Sequence, residues 1–162
     1  EYLHRNAALL GGDPMLRAVA RAARRDFSRR RAARPPRRAW WLAAGIAEKA
    51  FRNAFAALKP GGVLGIEEHR APPGGVQDVL AANGYVQEAY AVRLAQEAGF
   101  VLDKTSEINA NPADDRDHPF GVWTLPPVRR SPAADKPDPS FDRAKYDAIG
   151  ESDRMTLRFV KQ

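Results

Sequence analysis

From Leu42 to the last residue, apolar and polar positions alternate in the way a folded α/β protein requires. Ala47, Ala50, Phe51, Ala54, Phe55 and Leu58 recur at three- and four-residue spacing, with Glu48, Lys49, Arg52 and Asn53 between them. That period predicts a helix over 46–58 with one apolar face. Lys59 stands favourably in its last turn, and Pro60-Gly61-Gly62 ends it. Val63-Leu64-Gly65-Ile66 is a short apolar run of the kind a buried parallel strand shows, placing a strand over 63–67. Polarity returns at Glu67-Glu68-His69-Arg70, ahead of a Pro72-Pro73-Gly74-Gly75 loop.

A second helix is predicted over 84–98, with Val86, Tyr90, Leu94 and Ala98 as its stripe and Gly99 as its stop. Phe100-Val101-Leu102 opens a strand over 100–108. Residues 109–153 are rich in Pro, Asp and Gly and too long for a plain connection. At the end, Met155, Leu157 and Phe159 alternate with Thr156, Arg158 and Val160, which predicts a strand over 154–160 with one strongly apolar face. Helix, strand, helix, strand, long loop, strand is the order of an α/β sheet.

Composition changes the picture in one place. The chain of 162 residues is long enough for one domain with its own core, has no cysteine, and holds no apolar run near bilayer length. Disulfides and thiolate chemistry are therefore excluded, and no membrane is expected as a partner. The formal charge is +6, yet Arg17–Arg38 alone contributes +9 through ten arginines and a single acid, leaving −3 for the rest. Residues 1–41 thus form an atypical Arg-rich segment, and 42–162 the folded domain. The Arg17–Arg38 block, followed by Trp40-Trp41, admits three readings. It is a stretch translated out of frame, since Arg, Ala, Pro and Trp are what GC-rich coding sequence yields in the wrong frame and its basic residues include no Lys; or a solvated basic tail; or a nucleic-acid-binding module holding phosphates and stacking bases.

Three segments carry a family resemblance. Ala56-Ala57-Leu58-Lys59-Pro60-Gly61-Gly62-Val63-Leu64-Gly65-Ile66 resembles the helix-to-fifth-strand junction of class I S-adenosylmethionine-dependent methyltransferases. Ala95-Gln96-Glu97-Ala98-Gly99-Phe100 is similar to the turn into that family's sixth strand, and Arg154–Val160 to its antiparallel seventh strand, which lies between the fifth and sixth. Glu68-His69-Arg70-Ala71, Asn109–Asp115 and Ile149–Arg154 further resemble a bacterial subfamily of methyltransferases, often exported. The resemblance implies a partial Rossmann-like class I methyltransferase sheet with helices on its faces and a C-terminal antiparallel strand. It implies S-adenosylmethionine as cofactor, a small-molecule or other methyl acceptor as partner, and a bacterial protein, cytoplasmic or exported. A departure accompanies it: no Gly-x-Gly-x-Gly follows an apolar strand anywhere, and Arg34–Trp41 stands where a fourth strand is due. The chain therefore corresponds to the back half of the domain, with its cofactor cradle absent and cofactor binding impaired. A non-catalytic scaffold is a further alternative.

Ligands of open α/β sheets bind beyond the carboxyl ends of the strands. Glu68 and His69 lie there after Val63–Ile66 and are the candidate catalytic pair, an imidazole beside a carboxylate being suited to draw a proton from the acceptor. Tyr85 and Glu88, in the first turn of the second helix, are candidate substrate-wall residues. His118, with Trp123 beyond it, belongs to a long loop that is either a lid over the acceptor or surface packing. Glu67 and Arg70 are read as solvated or mutually paired strand-end charges. Asp114, Asp115, Asp117 and His118 cluster, but their spacing fits no established metal motif, so no metal is expected.

Overall fold

The computed structural model describes residues 46–162. The Arg17–Arg38 block lies outside the described residues.

Helix α1 runs from Ala47 to Ala57, and Ala47, Phe51 and Ala54 form its buried face together with Leu58 just beyond it. The apolar face anticipated from sequence is thus covered, apart from Ala50, which is exposed. The helix ends at Ala57, so Lys59 lies beyond its last turn and not within it, and its last carbonyls find an unexpected partner. The Lys161 ammonium donates to the carbonyls of Phe55 (2.7 Å) and Leu58 (2.8 Å) and sits 4.3 Å from the centre of the Phe55 ring. A cation from the far end of the chain therefore caps this terminus. Gly61, at φ +79°, lets the chain reverse into strand β1, Val63–His69.

Helix α2 spans Glu88–Glu97, strand β2 Phe100–Ser106, helix α3 Arg143–Ile149 and strand β3 Arg154–Lys161. A short 3-10 turn occupies Gly121–Thr124. The strands form one sheet in the order β1-β3-β2, with β3 antiparallel to both neighbours. The C-terminal strand therefore lies in the middle of the sheet. Leu64 faces Phe159 and Ile66 faces Leu157 across the β1–β3 ladder.

Met155, Leu157 and Phe159 are at most 1 % exposed and pack with Phe51, Ala54, Leu94, Ala95 and Phe100 in one apolar core. Helices α1 and α2 supply the other side of that core, giving a two-layer α/β unit. The opposite face of the sheet carries charge. Arg154 pairs there with Glu67 (3.1 Å) and Arg158 with Asp103 (3.0 Å), beside a bulge between Leu102 and Lys104.

Four expectations change. Strand β1 does not stop at Glu67 but continues to His69, because β3 supplies ladder partners as far as Arg154; its described pairing is antiparallel, and Leu64 and Ile66 are its core-packed residues. The second helix begins at Glu88, not at 84: Gly84 has φ +83°, and Val86 bonds in extended form to His69 and Ala71 in a short parallel bridge. Tyr85 therefore precedes the helix. Strand β2 ends at Ser106, after which Ala110 N donates to Glu107 O in a turn. Within 109–153, the 3-10 turn and α3 break up what reads as a loop; Asp142 caps α3 by accepting from Ala144 N at 2.9 Å.

Candidate functional site

Past the carboxyl end of β1 the polar residues converge. Asp153, 1 % exposed, directly precedes β3 and cannot be left charged without partners. Its carboxylate accepts from Arg70 Nε (2.9 Å) and Nη2 (3.0 Å), from Arg116 Nη2, and from the backbone N–H of Asn111 (2.9 Å). Burial alone would raise its pKa, but the two guanidinium groups and the amide overcome that and hold it at about 2. Arg70 extends the network by a two-pronged contact with Glu107 (2.9 and 2.6 Å), and Arg116 Nε donates to the Arg70 carbonyl (3.1 Å).

Asp114, also 1 % exposed, is a second centre. It accepts from Tyr85 Oη (3.0 and 3.1 Å) and from the backbone N–H groups of Arg116 and Asp153 (both 2.8 Å), and its Oδ1 bonds His118 Nε2 (2.8 Å). The two centres share backbone. Asp153 N donates to Asp114, and Arg116 gives its N–H to Asp114 and its guanidinium to Asp153. Asn111 locks the same loop, donating through Nδ2 to the carbonyls of Ile149 (2.8 Å) and Glu151 (2.6 Å).

The residues singled out from sequence fall into three groups around this network. At the end of β1, His69 Nδ1 lies 2.6 Å from Ser152 Oγ, and its ring meets Tyr85 edge-on at 6.4 Å. Burial lowers its pKa to about 4, with the Arg154 charge adding to the effect, so the imidazole is neutral across the physiological range. Glu68 shares this strand end, and its Oε1 accepts from the His69 backbone N–H (2.9 Å). Glu67 and Arg70 are not each other's partners: Glu67 pairs with Arg154, and burial raises its pKa.

The second group is interior. Tyr85 is buried, and burial together with the Asp114 charge pushes its phenol up, so it is a neutral hydrogen-bond donor. The His118 side chain is wholly enclosed, against Asp114 on one side and Tyr146 at 5.7 Å on another, which places its ring inside the fold and not on a surface. Trp123 packs with Ala71, Tyr85 and Val122.

The third group is a single residue, Glu88, which reaches an open cleft beside the network. This cleft, of about 430 Å³, has Arg70, Arg116 and Glu88 as its charged lining and Ala71, Pro73 and Ala89 as its apolar lining. Tyr85, His118 and Trp123 do not line it. Gln87 ties the wall together, its Nε2 donating to Pro72 O (2.8 Å) and its backbone N–H to Gln77 Oε1 (2.7 Å). Ser152 and Asp153 lie in the Ile149–Arg154 segment that carries the resemblance, but neither they nor Arg116 is singled out from sequence as a site residue. Their signal is faint: acids, arginines and serines in polar loops are ordinarily solvated.

Two cofactor tests can be made on these residues. Asp114, Asp115 and His118 bring ligand-type atoms within 4.8 Å of one another. Asp114, however, already takes four partners, and the imidazole meets the two acids with different nitrogens, Nε2 to Asp114 and Nδ1 3.4 Å from Asp115. Of the trio only Asp114 and His118 are hydrogen-bonded to each other, and His118 Nδ1 is buried without a hydrogen-bond partner among the described residues. For S-adenosylmethionine, a cradle of glycines open to a strand end is needed. The closely packed glycines face protein instead: an added Cβ would meet Lys59 O at Gly62, Val122 at Gly84, Phe55 at Gly99 and Asn83 O at Gly121. Gly74 is the one glycine lining the cleft among the described residues, with nothing within 4 Å of an added Cβ, and it stands in no Gly-x-Gly-x-Gly run.

Comparison with known proteins gives no match to a family model, a curated protein or a solved structure. Among the described residues no helix is long and apolar enough to cross a membrane.

Proposed function

We propose that residues 46–162 are the acceptor-side half of an S-adenosylmethionine-dependent methyltransferase domain, with the methyl acceptor taken up at the carboxyl end of β1. The observation that carries this reading is the position of β3, antiparallel between β1 and β2, in a chain with a Leu-Lys-Pro-Gly-Gly reversal before β1 and a Gly-Phe turn before β2. The cleft at a strand's carboxyl end is where open α/β sheets take ligands. In this reading S-adenosylmethionine would supply an electrophilic methyl group, and the chain's own contribution is positioning. Arg70, Arg116 and Asp153 fix the cleft wall, while the neutral His69, held against Ser152, and Glu68 lie at the same end of β1 without lining the cleft. No step is assigned through the cofactor.

The test begins upstream of codon 42. The genomic DNA, translated in the other two forward frames, is expected to restore an apolar strand in place of Arg34–Trp41 and a glycine-rich loop before it. Calorimetry should then detect micromolar S-adenosylmethionine binding by the restored protein and none by the present chain. If neither frame yields the strand, or the restored protein leaves the cofactor unbound, the proposal fails. A basic nucleic-acid-binding module is the alternative, motivated by the arginine density of 17–38; it predicts a salt-dependent gel shift that disappears when those residues are deleted.

A further inference from the structure

The cleft carries more information than its place. Its charged lining consists of Arg70, Arg116 and Glu88. Arg70 is committed to Asp153 and Glu107. Arg116 spends Nε and Nη2 on Arg70 O and Asp153, so its Nη1 has no hydrogen-bond partner among the described residues. Glu88 lies 3.6 Å from Arg70 Nη1, beyond hydrogen-bond distance, and its side chain is 38 % exposed. The cleft thus presents one donor edge and one carboxylate with capacity to spare.

Two guanidinium groups, Arg70 and Arg116, meet three carboxylates here: the buried Asp153, Glu107, and Glu88 on the cleft wall. A purely anionic ligand would meet Arg116 but also the Glu88 carboxylate. A purely cationic one would meet Glu88 but also two guanidinium groups. A ligand with both charges satisfies both walls. Ala71, Pro73 and Ala89 leave apolar surface between them for its body, and the volume suits a small molecule.

We propose that this cleft binds a small zwitterion of the α-amino-acid type, its carboxylate on Arg116 and its ammonium on Glu88. The inference rests on reading the cleft as the acceptor site, and it names the class of acceptor. Ligand-observed NMR on the full chain tests it without S-adenosylmethionine, so its failure is separate from failure of the cofactor test. The probes are L-phenylalanine, L-phenylalaninamide, which lacks the carboxylate, and N-acetyl-L-phenylalanine, which lacks the ammonium. Phenylalanine is expected to bind in the millimolar range and each derivative about tenfold more weakly, a difference equal to one lost charge-assisted contact. Arg116→Gln should erase the preference for phenylalanine over its amide, and Glu88→Gln the preference over the acetylated form. Because Arg116 also supports Asp153, the partly exposed Glu88 provides the variant that leaves the fold intact. No phenylalanine binding at millimolar concentration, equal binding of all three probes, or an unchanged preference in Glu88→Gln overturns the proposal.

Discussion

Burial pushes a carboxyl pKa up, and Asp153 feels that push, yet Arg70 and Arg116 hold it at about 2 against an ordinary 3.8. The unfolded chain therefore takes up this proton first as pH falls. The stabilisation is complete above pH 3.8 and is lost as pH drops through about 2. His69 titrates earlier: its folded pKa is about 4 against an ordinary 6.5, so protons favour the unfolded chain between those values. Stability should accordingly fall in two acid steps, first from 6.5 to 4 and then from 3.8 towards 2. Urea titrations across pH resolve them. His69→Gln, which keeps a polar partner for Ser152, should flatten the first step; an unchanged profile would show that another group titrates there. Asp153→Asn should remove the second and cost about 3 kcal/mol at neutral pH, since it leaves two guanidinium groups without their shared anion.

Elements are legible in the sequence where their period is local. The face of α1, the Pro-Gly-Gly reversal and the alternation of β3 each announce themselves within about a dozen residues. Tyr85 and Val86 mislead because Val86, Tyr90 and Leu94 keep helical spacing although the chain is extended at Val86. The polar network is hidden for a different reason: Arg70 and Asp153 are 83 residues apart, and no local pattern links them. Gly99 shows how element packing turns a legible stop signal into a steric requirement. It has φ +104°, and an added Cβ would lie 2.8 Å from the Phe55 ring. Gly99→Ala should cost about 2 kcal/mol, through backbone strain and collision together. Gly74, at φ +79° with open space around it, supplies the control: Gly74→Ala should cost about 1 kcal/mol. Equal losses in thermal melts would mean that Phe55 yields and the contact constrains nothing.

For the molecule as a whole, the last strand in the chain is the middle strand of the sheet. Strands β1 and β2 do not touch as ladder partners; each bonds to β3, whose inward side chains fill the core and whose Lys161 closes α1. Residues 131–140, by contrast, are almost entirely exposed, and Val76 and Val79 project from their loop at 98 % and 74 % exposure. Amides that open only on global unfolding should therefore lie on β3, and those that open locally should lie in the two loops. Hydrogen exchange followed by mass spectrometry is expected to show Leu157 and Phe159 among the slowest amides and 131–140 among the fastest. Comparable protection in both regions would mean that the described sheet does not organise the fold. Removing residues 154–162 makes the same point more severely: with both ladders gone, cooperative unfolding should disappear, and a truncated chain that still melts sharply would show that the helices hold the core without β3.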